Sequence, residues 1–324
     1  MNGKSINIDF KKVDLFYDFI DKACMILYDE LRIDYFEALI RVCNDITTTL
    51  DESKLTENAV KELQEIYNAI ENENFYNEEI RMSLELLIIK AFKHINFSLD
   101  LMTPDTINYI ISMIIKSKYG YLNKEISVMD TCLGTGNLLN AISNNLDTEI
   151  NLTGIENNET LVKLAKASSD IQGNFINIFF QDALQNIESF NDVVVGDLAS
   201  YDYTDLNDLE LYKKGIKYFP YLVIEARLKN IVENGYFIFV IDNDFFSKNG
   251  NNEFRNYLIG KATLVGLIVL PRSIVSENHV GKSILIGKKA SLDNFNMNIL
   301  NVKDFSLEES KKLFEKIDNM MKQI

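Results

Sequence analysis

Two glycines closely follow an acidic residue near the middle of the chain, and this spacing suits a loop that holds a small ligand. Val128 to Asp130 reads as the end of a buried strand, and Asn137 opens a helical stretch. Gly134 and Gly136 can adopt positive φ and let the backbone approach a bound molecule, while the amides that open the helix point into the same space. Asp130 would lie at the carboxyl edge of a sheet, where open α/β folds bind ligands. The segment is therefore a candidate binding loop, or only a strand-to-helix turn.

Acidic residues also follow the next strand candidates. Glu156 ends an apolar run that begins at Leu152, and Asp182 follows the run 175–180. Glu156 could accept hydrogen bonds from two vicinal ribose hydroxyls, or it could be a solvated acid at a helix N-terminus. Asp182 could bind a ligand, N-cap a helix over 183–186, or do both.

The segment 130–139 resembles motif I of class I S-adenosylmethionine (SAM) dependent methyltransferases, and its Gly-Thr-Gly-Asn is most similar to the adenine-N6 branch. The family form is close to Asp-Pro-Ala-Cys-Gly-Thr-Gly, so the acid and both glycines match. The Pro and Ala do not match, and Cys132 stands one place early. The resemblance implies SAM as cofactor, held by Thr103, Asp130, Thr131, Gly134, Thr135, Gly136, Asn137, Leu138, Glu156, Asn157, Asp182 and Ala183.

The same resemblance gives several of these residues a role. It implies that Glu156 binds the ribose, with Asn157 beside the adenine. It implies that Asp182 accepts from the adenine amino group, while the backbone amide of Ala183 contacts a ring nitrogen. Thr103 before Pro104 resembles motif X, which caps the methionine end of the cofactor. From the residues alone, Thr103 is the N-cap of a helix over 106–116 with Pro104 at its first position.

A catalytic motif is expected after the fourth strand, over Asp192 to Val195. Adenine-N6 methyltransferases carry Asn/Asp-Pro-Pro-Tyr/Phe there, in which the acid or amide and the first proline's carbonyl accept from the target amine and the aromatic ring stacks the flipped base. Here Asp197 occupies the acidic position, and Leu198 still offers a carbonyl without the fixed φ of proline. Ser200 replaces the aromatic residue, so Tyr201 or Tyr203 would have to supply the ring. The catalytic assignment is Asp197, Leu198 and Tyr201.

Gly281-Lys282-Ser283 invites comparison with a phosphate-binding P-loop. The first glycine of that motif is missing, because Ser276 stands in its place, and a strand is predicted to follow instead of a helix. Nucleotide hydrolysis is therefore rejected. Leu270-Pro271 followed by this segment resembles the corresponding region of type I restriction-modification methylation subunits.

Composition and charge restrict the function classes. The chain has 324 residues and a formal net charge of −15, so its average surface repels polyanions. DNA as a partner is therefore weakly supported. Lys213 to Lys217 is a candidate basic patch, or a solvated surface turn. No apolar run spans a membrane, and three cysteines without metal-ligand spacing suit a reducing compartment, so we expect a cytoplasmic protein without a metal site.

The pattern of elements predicts two domains. Residues 9–95 lack Gly and Pro and show helical spacing of apolar residues, which predicts a helical N-terminal domain over 1–95. Alternating strands and helices follow, so residues 96–324 are predicted to form an α/β, Rossmann-like class I methyltransferase sheet, mostly parallel with one antiparallel strand. An amphipathic helix over 307–322 closes the chain.

The sequence therefore predicts a SAM-dependent N-methyltransferase that resembles adenine-N6 DNA methyltransferases. The alternative is a SAM-binding regulatory protein or pseudoenzyme without adenine methylation, because the catalytic motif departs from the family pattern. A Rossmann dehydrogenase is disfavoured, since position 139 is Leu where G-x-G-x-x-G needs its third glycine. The chain shows no evident target-recognition domain, so specific modification of DNA would call for a partner protein or a surface in 1–95.

Overall fold

The computed structural model describes residues 8–98, 102–120, 122, 124–275 and 280–324. Four helices come first, as the spacing of apolar residues predicts. Their bounds are Phe10–Leu31 (α1), Tyr35–Thr47 (α2), Glu57–Glu71 (α3) and Asn77–Ile95 (α4). Asp9, Asp34 and Thr56 cap the first three by accepting a hydrogen bond from a backbone amide of the first turn.

The remainder alternates strands and helices. The strands are Ile126–Asp130 (β1), Ile150–Glu156 (β2), Ile176–Phe180 (β3), Asn191–Asp197 (β4), Ile231–Asp242 (β5), Thr263–Val269 (β6), Lys282–Lys288 (β7) and Asn298–Asn301 (β8). The helices are Asp105–Tyr119 (α5), Asn137–Asn145 (α6), Glu159–Asp170 (α7), Glu210–Lys213 (α8), Phe219–Leu228 (α9), Asn251–Leu258 (α10) and Leu307–Gln323 (α11). Short 3-10 turns lie at Phe245–Ser247 and Arg272–Ile274.

All eight strands form one sheet in the order β3-β2-β1-β4-β5-β7-β6-β8. The pairs β1–β2, β1–β4 and β4–β5 are parallel, and β7 runs antiparallel to both β5 and β6. The predicted class I methyltransferase sheet is thus confirmed. β8 was not predicted; it pairs parallel with β6 at the outer edge.

Two local predictions are wrong. Residues 183–186 form no helix: Asp182 Oδ1 accepts from the Leu184 amide at 2.7 Å, which closes a turn instead. Helix α5 begins at Asp105, with Pro104 rather than Thr103 at its N-cap position. Asp182 and Thr103 were each expected to cap the start of a helix. The hydrogen bonds that the neighbouring backbone forms instead give a different local structure at each place.

The chain divides into two compact units that do not follow chain order. The first unit holds the described residues up to 103 together with 134–147 and 158–176. Its core combines apolar side chains of α1 to α4 with Leu161, Leu164 and Ala167 of α7. The second unit holds the described residues of 104–133, 148–157 and 177–324, and its core centres on α9 and β5. The predicted boundary between residues 95 and 96 divides the chain into two consecutive segments, and it stays a prediction. No helix in the described ranges has the length and apolar content needed to cross a membrane.

Candidate functional site

Four carboxylates stand at or just beyond the carboxyl ends of four neighbouring strands in the second unit. Asp130, Glu156 and Asp197 are the last residues of β1, β2 and β4, and Asp182 follows β3 by two residues. The sheet order β3-β2-β1-β4 puts all four at one edge. Acidic side chains concentrated there suit a ligand that is cationic or rich in hydrogen-bond donors.

Asp130 is the most deeply buried of these acids. Its Oδ1 accepts from the backbone amide of Cys132 at 2.9 Å. Burial raises the pKa of the Asp130 carboxyl to about 7; the Cys132 amide lowers it, and the carboxylates of Glu156 and Asp197 raise it further. A cation placed beside Asp130 would favour its ionised form.

The first half of the glycine turn is fixed against neighbouring strands. The amide of Thr131 donates to the Val195 carbonyl at 3.0 Å, and that of Leu133 donates to the Ile155 carbonyl at 2.9 Å. Gly196 lies so close that a Cβ there would stand 2.9 Å from Thr131 Cγ2. The hydroxyl oxygen of Thr131 is buried and has no hydrogen-bond partner among the described residues. It is a polar atom that a ligand could satisfy.

The second half of the turn belongs to the first unit. Gly134 and Gly136 have φ values of 54° and 77°, so both adopt the left-handed conformation that the sequence predicts. A Cβ on Gly136 would lie 3.3 Å from the Cβ of Ala165 in α7. Ser168 donates to the Thr135 carbonyl at 3.3 Å. Helix α6 then begins at Asn137, and Leu138 in its first turn is buried.

An arginine of the helical segment contacts this turn, and sequence reasoning missed it. Arg81 Nη1 donates to Asn137 Oδ1 at 2.8 Å, although the two residues are 56 positions apart. The same guanidinium binds the carboxylate of Glu78 through two contacts of 2.7 and 2.9 Å and that of Glu85 at 3.2 Å. Glu78 also accepts from Asn144 at 3.2 Å. The Nδ2 of Asn137 is buried and has no partner among the described residues. Arg81 therefore orients a side-chain amide whose Nδ2 can still donate to a ligand.

Glu156 and Asn157 follow the glycine turn at the next strand. Glu156 Oε1 accepts from the Asn157 amide at 2.9 Å, and the Glu156 carbonyl accepts from Gln181 at 3.1 Å. The N-cap of α7 is Asn158, whose side chain accepts from Thr160 and from the next residue. Both readings of Glu156, as an acceptor for ribose hydroxyls and as a solvated acid near the start of α7, stay predictions.

A second missed residue, Arg227, lies beneath the Asp182 turn. It is fully buried at the end of α9, and its Nη2 donates to the Gln185 carbonyl at 2.5 Å. Burial lowers the pKa of Arg227 to about 10, while the charges of Cys132 and Asp182 raise it. Its Nε and Nη1 have no partner among the described residues. Arg227 thus holds the loop that carries Asp182 and Ala183 from below.

The predicted catalytic residues lie together at the end of β4. The Leu198 amide donates to the Val240 carbonyl at 3.0 Å, which fixes the chain just after Asp197. Tyr201 is 46% exposed, and one face of its ring stacks on Phe219 with centroids 4.6 Å apart. Tyr203 is buried. Of the two tyrosines considered for an aromatic platform, Tyr201 is the accessible one.

A lysine accompanies Asp197, which the sequence did not predict. Lys282 Nζ lies 2.5 Å from Asp197 Oδ1, and the two side chains are 16% and 14% exposed. Lys282 is the first residue of β7, so a strand does follow Gly-Lys-Ser, as expected when the P-loop reading was rejected. The acid that would accept from a substrate amine is thus already ion-paired.

No cluster of His, Cys, Asp or Glu suited to a metal ion occurs in the part of the chain that the structure describes. The three cysteines are free thiols. The polar groups at the strand ends are carboxylates, which accept hydrogen bonds, together with amides and hydroxyls, and this set fits an organic cofactor with an amine and hydroxyl groups.

A mostly parallel sheet with β7 antiparallel, and a glycine turn after β1, defines a class I SAM-dependent methyltransferase. A model of the family "N-6 DNA Methylase" matches residues 97–323, and a model of a YtxK N-terminal helical domain matches residues 14–92. Because the first match covers more than half of the chain, this protein belongs to the N-6 DNA methylase family.

Individual proteins and solved structures are also similar to this chain. "Uncharacterized protein YtxK" of Bacillus subtilis (strain 168) is 30% identical over 266 residues, which is 80% of each chain. A class I SAM-dependent methyltransferase structure from Listeria monocytogenes (lmo1582) has a TM-score of 0.83 at 26% identity and covers 97% of this chain and 100% of its own. The type I restriction-modification methyltransferase subunit of Streptococcus thermophilus shares the fold, with a TM-score of 0.65 at 16% identity over 94% of this chain and 74% of its own.

Proposed function

We propose that this methyltransferase binds SAM and transfers its methyl group to the exocyclic amine of adenine. The observation that carries the proposal is Asp197 at the end of β4, one strand from Asp130 at the end of β1. An acceptor for a target amine thus stands beside a set of acids suited to the cofactor.

On the cofactor side, the polar groups at the strand ends support SAM binding. Asp130 and the unpartnered hydroxyl of Thr131 offer acceptors at the end of β1. Glu156 offers a carboxylate for the ribose hydroxyls, with Asn157 next to it, and the turn of Asp182 and Ala183 offers an acid and an amide for the adenine. The chain continues from Asp130 into Gly134, Thr135, Gly136, Asn137 and Leu138, and we propose cofactor contacts for these residues and for Thr103 as well. SAM supplies a methyl group activated by its sulfonium.

On the acceptor side, the roles follow from position. Asp197 and the carbonyl of Leu198 accept hydrogen bonds from the amine, which orients its nitrogen lone pair. The free face of Tyr201 offers a stacking surface for a base, since Phe219 covers only the other face. The phenol of Tyr218 shares a hydrogen bond of 3.2 Å with Ser200, the residue in the aromatic position of the motif. Ser200 therefore helps to hold the loop after β4 in place through this hydrogen bond.

The proposal extends to DNA as the substrate and to a partner protein that recognises the target. Membership of the N-6 DNA methylase family supports the first. The second is supported by the Streptococcus thermophilus relative, which is one subunit of a restriction-modification system. Free thiols at Cys24, Cys43 and Cys132 support a cytoplasmic setting.

The test compares wild type with Asp197→Ala. Titration calorimetry with SAM, with NAD as control ligand, measures the cofactor site, and radioactive methyl incorporation into adenine-containing DNA measures transfer. We expect micromolar SAM binding without NAD binding, and loss of transfer in Asp197→Ala with SAM affinity within about threefold of wild type, because Asp197 contacts the acceptor rather than the cofactor. Equal transfer by the variant would remove Asp197 from the mechanism.

A second candidate function is that of a SAM-binding regulatory protein without adenine methylation. The ion pair between Lys282 and Asp197 favours it, because a bound ammonium competes with the substrate amine for the same carboxylate. Leu198 and Ala199 in place of both prolines favour it too. SAM binding with no methyl transfer to DNA, RNA or protein extracts by the wild-type chain would support this second function over the first.

A further inference from the structure

A cavity of about 390 Å³ opens beside the catalytic loop, within the second unit. Its walls come from three segments: residues 200–202 directly after the catalytic motif, residues 215–218 before and at the start of α9, and Lys248 with Asn249. Apart from Tyr201, none of these residues has a place in the cofactor or amine contacts proposed above. The cavity therefore adjoins the acceptor position in sequence and offers a separate surface.

One wall of the cavity is aromatic. Tyr201 stacks on Phe219 with an angle of 19° between the ring planes, and Tyr218 packs edge-on against Tyr221 at 4.8 Å. The Tyr201 carbonyl accepts from the Phe219 amide at 2.9 Å, so the backbone also holds this ring in place. A ring fixed on one face and accessible on the other is a stacking platform for a planar group.

The cavity lining also contains two lysines, Lys217 and Lys248. Lys217 is exposed, and no carboxylate of the described residues forms an ion pair with its ammonium. Lys248 lies 2.8 Å from Asp244 and 5.5 Å from the centre of the Tyr218 ring, so its ammonium is held at the cavity while two of its three donors remain for a ligand. Asp202 is the one acid in the lining, against two lysines.

We propose that this cavity binds one nucleotide of a single-stranded or locally opened polynucleotide, next to the nucleotide that carries the acceptor amine. The phosphate of this neighbouring nucleotide contacts Lys217 and Lys248, while the free face of Tyr201, which also lines the cavity, stacks the acceptor base. The inference rests on the proposed function, since it takes the acceptor amine to be part of a nucleic acid. It also explains how a chain of net charge −15 approaches a polyanion: attraction is confined to a small surface at the acceptor position.

The test uses fluorescence anisotropy of labelled single-stranded DNA and RNA oligonucleotides over a range of salt concentrations. The variant is Lys217→Ala/Lys248→Ala, and its matched control is Lys213→Ala/Lys214→Ala. The control removes the same charge from the same surface, but Lys213 and Lys214 pair with Asp208 and Glu210 and lie outside the lining. Tyr201→Phe and Tyr201→Ala separate the ring's stacking surface from its hydroxyl.

We expect the cavity variant to bind about tenfold more weakly at low salt and to lose about 0.7 from the slope of log affinity against log salt, because one neutralised single-strand phosphate contributes about 0.7. The control should keep the wild-type slope, and Tyr201→Phe should bind better than Tyr201→Ala. Equal losses in both lysine pairs would indicate general surface attraction and overturn the proposal, as would unchanged binding in the cavity variant.

SAM calorimetry on the same variants distinguishes failure of this inference from failure of the proposed function. Retained SAM binding and methyl transfer, with oligonucleotide affinity independent of Lys217 and Lys248, would reject the cavity alone. If the wild-type protein does not bind SAM, the proposed function itself is rejected. A preference for DNA over RNA, or the reverse, would identify the polynucleotide that the cavity receives.

Discussion

Motif I and the loop after β4 are each contacted by a basic side chain from another segment, but the two cations differ in burial and in number of partners. Arg81, whose side chain is 3% exposed, binds Glu78, Glu85 and Asn137. Lys282 makes one contact with Asp197 and keeps some exposure to solvent. A buried network therefore holds Asn137, whereas a single ion pair that a ligand could displace holds Asp197.

The largest effect is expected from Arg81→Met. The substitution leaves the carboxylate of Glu78 buried without its guanidinium, and breaking a buried pair costs about 3–5 kcal/mol. Asn137 also loses the donor that orients it, so SAM affinity should fall together with stability. Chemical denaturation and calorimetry measure the two effects.

Lys163→Met is the control, because Lys163 pairs at 2.7 Å with Glu159 on α7, both side chains are exposed, and neither contacts motif I. It should cost about 1 kcal/mol or less and leave SAM affinity unchanged. The double variant Arg81→Met/Glu78→Gln should recover part of the lost stability, since it removes the uncompensated charge. A small loss in Arg81→Met would contradict the comparison between the two cations.

Lys282→Met is expected to separate stability from activity. Losing the charged hydrogen bond to Asp197 should lower the free energy of unfolding by about 1.5–3 kcal/mol. Asp197 then becomes available to the target amine, so methyl transfer to adenine should stay equal or rise. Denaturation and methyl incorporation, measured on the same preparation, check the opposite signs. A fall in transfer with unchanged SAM affinity would show that Lys282 assists the acceptor step.

Gly136→Ala tests how tightly the glycine turn is constrained. A left-handed φ of 77° costs a residue with a Cβ about 1–2 kcal/mol. The new methyl would also press on Ala165, which lies 3.3 Å away. We expect this loss of stability and a weaker SAM affinity by calorimetry. Gly173→Ala is the matched control: its φ is 68° and nothing lies within 4 Å, so only the stability should fall.

The smallest effect is a pH dependence of cofactor binding. The pKa of Asp130 is about 7 in the fold and about 3.9 in an unfolded chain, so the free protein loses stability as pH rises from about 4 to 7. A bound cation favours the ionised carboxylate, and SAM affinity should therefore rise with pH, by at most about tenfold per unit, and level off above pH 7. Calorimetry across this range measures it, and Asp130→Asn should flatten the profile. A flat profile in wild type would separate Asp130 from the cofactor's charge.

The sequence predicts those features that depend on residues close together in the chain. The positive φ of Gly134 and Gly136 follows from glycine after a strand, and the shared edge of Asp130, Glu156 and Asp197 follows from parallel strands ending in acids. Strands were predicted where β1 to β4 and β7 lie, but β8 was not, because four residues with little alternation give a weak signal.

The features that the sequence did not predict are contacts between residues far apart in the chain. Arg81 meets Asn137 across 56 positions, and Lys282 meets Asp197 across 85, so no spacing pattern joins them. Glu78, Arg81 and Glu85 do have the spacing of helical ion pairs, which predicts an exposed face and gives no sign of burial. The helix expected at 183–186 failed because Asp182 closes a turn on Leu184 before a helix can begin.

The shared core of the first compact unit also bears on how the protein can be divided. The two family models meet between residues 92 and 97, which invites expression of the second part alone. Leu161, Leu164 and Ala167 of α7 bury their side chains among those of α1 to α4, and Arg81 reaches Asn137 from α4. A fragment cut at that junction would present this apolar helix face to water and invite aggregation. The helical segment therefore acts as a permanent internal chaperone for α7, because it covers the apolar face that this helix could not leave in water.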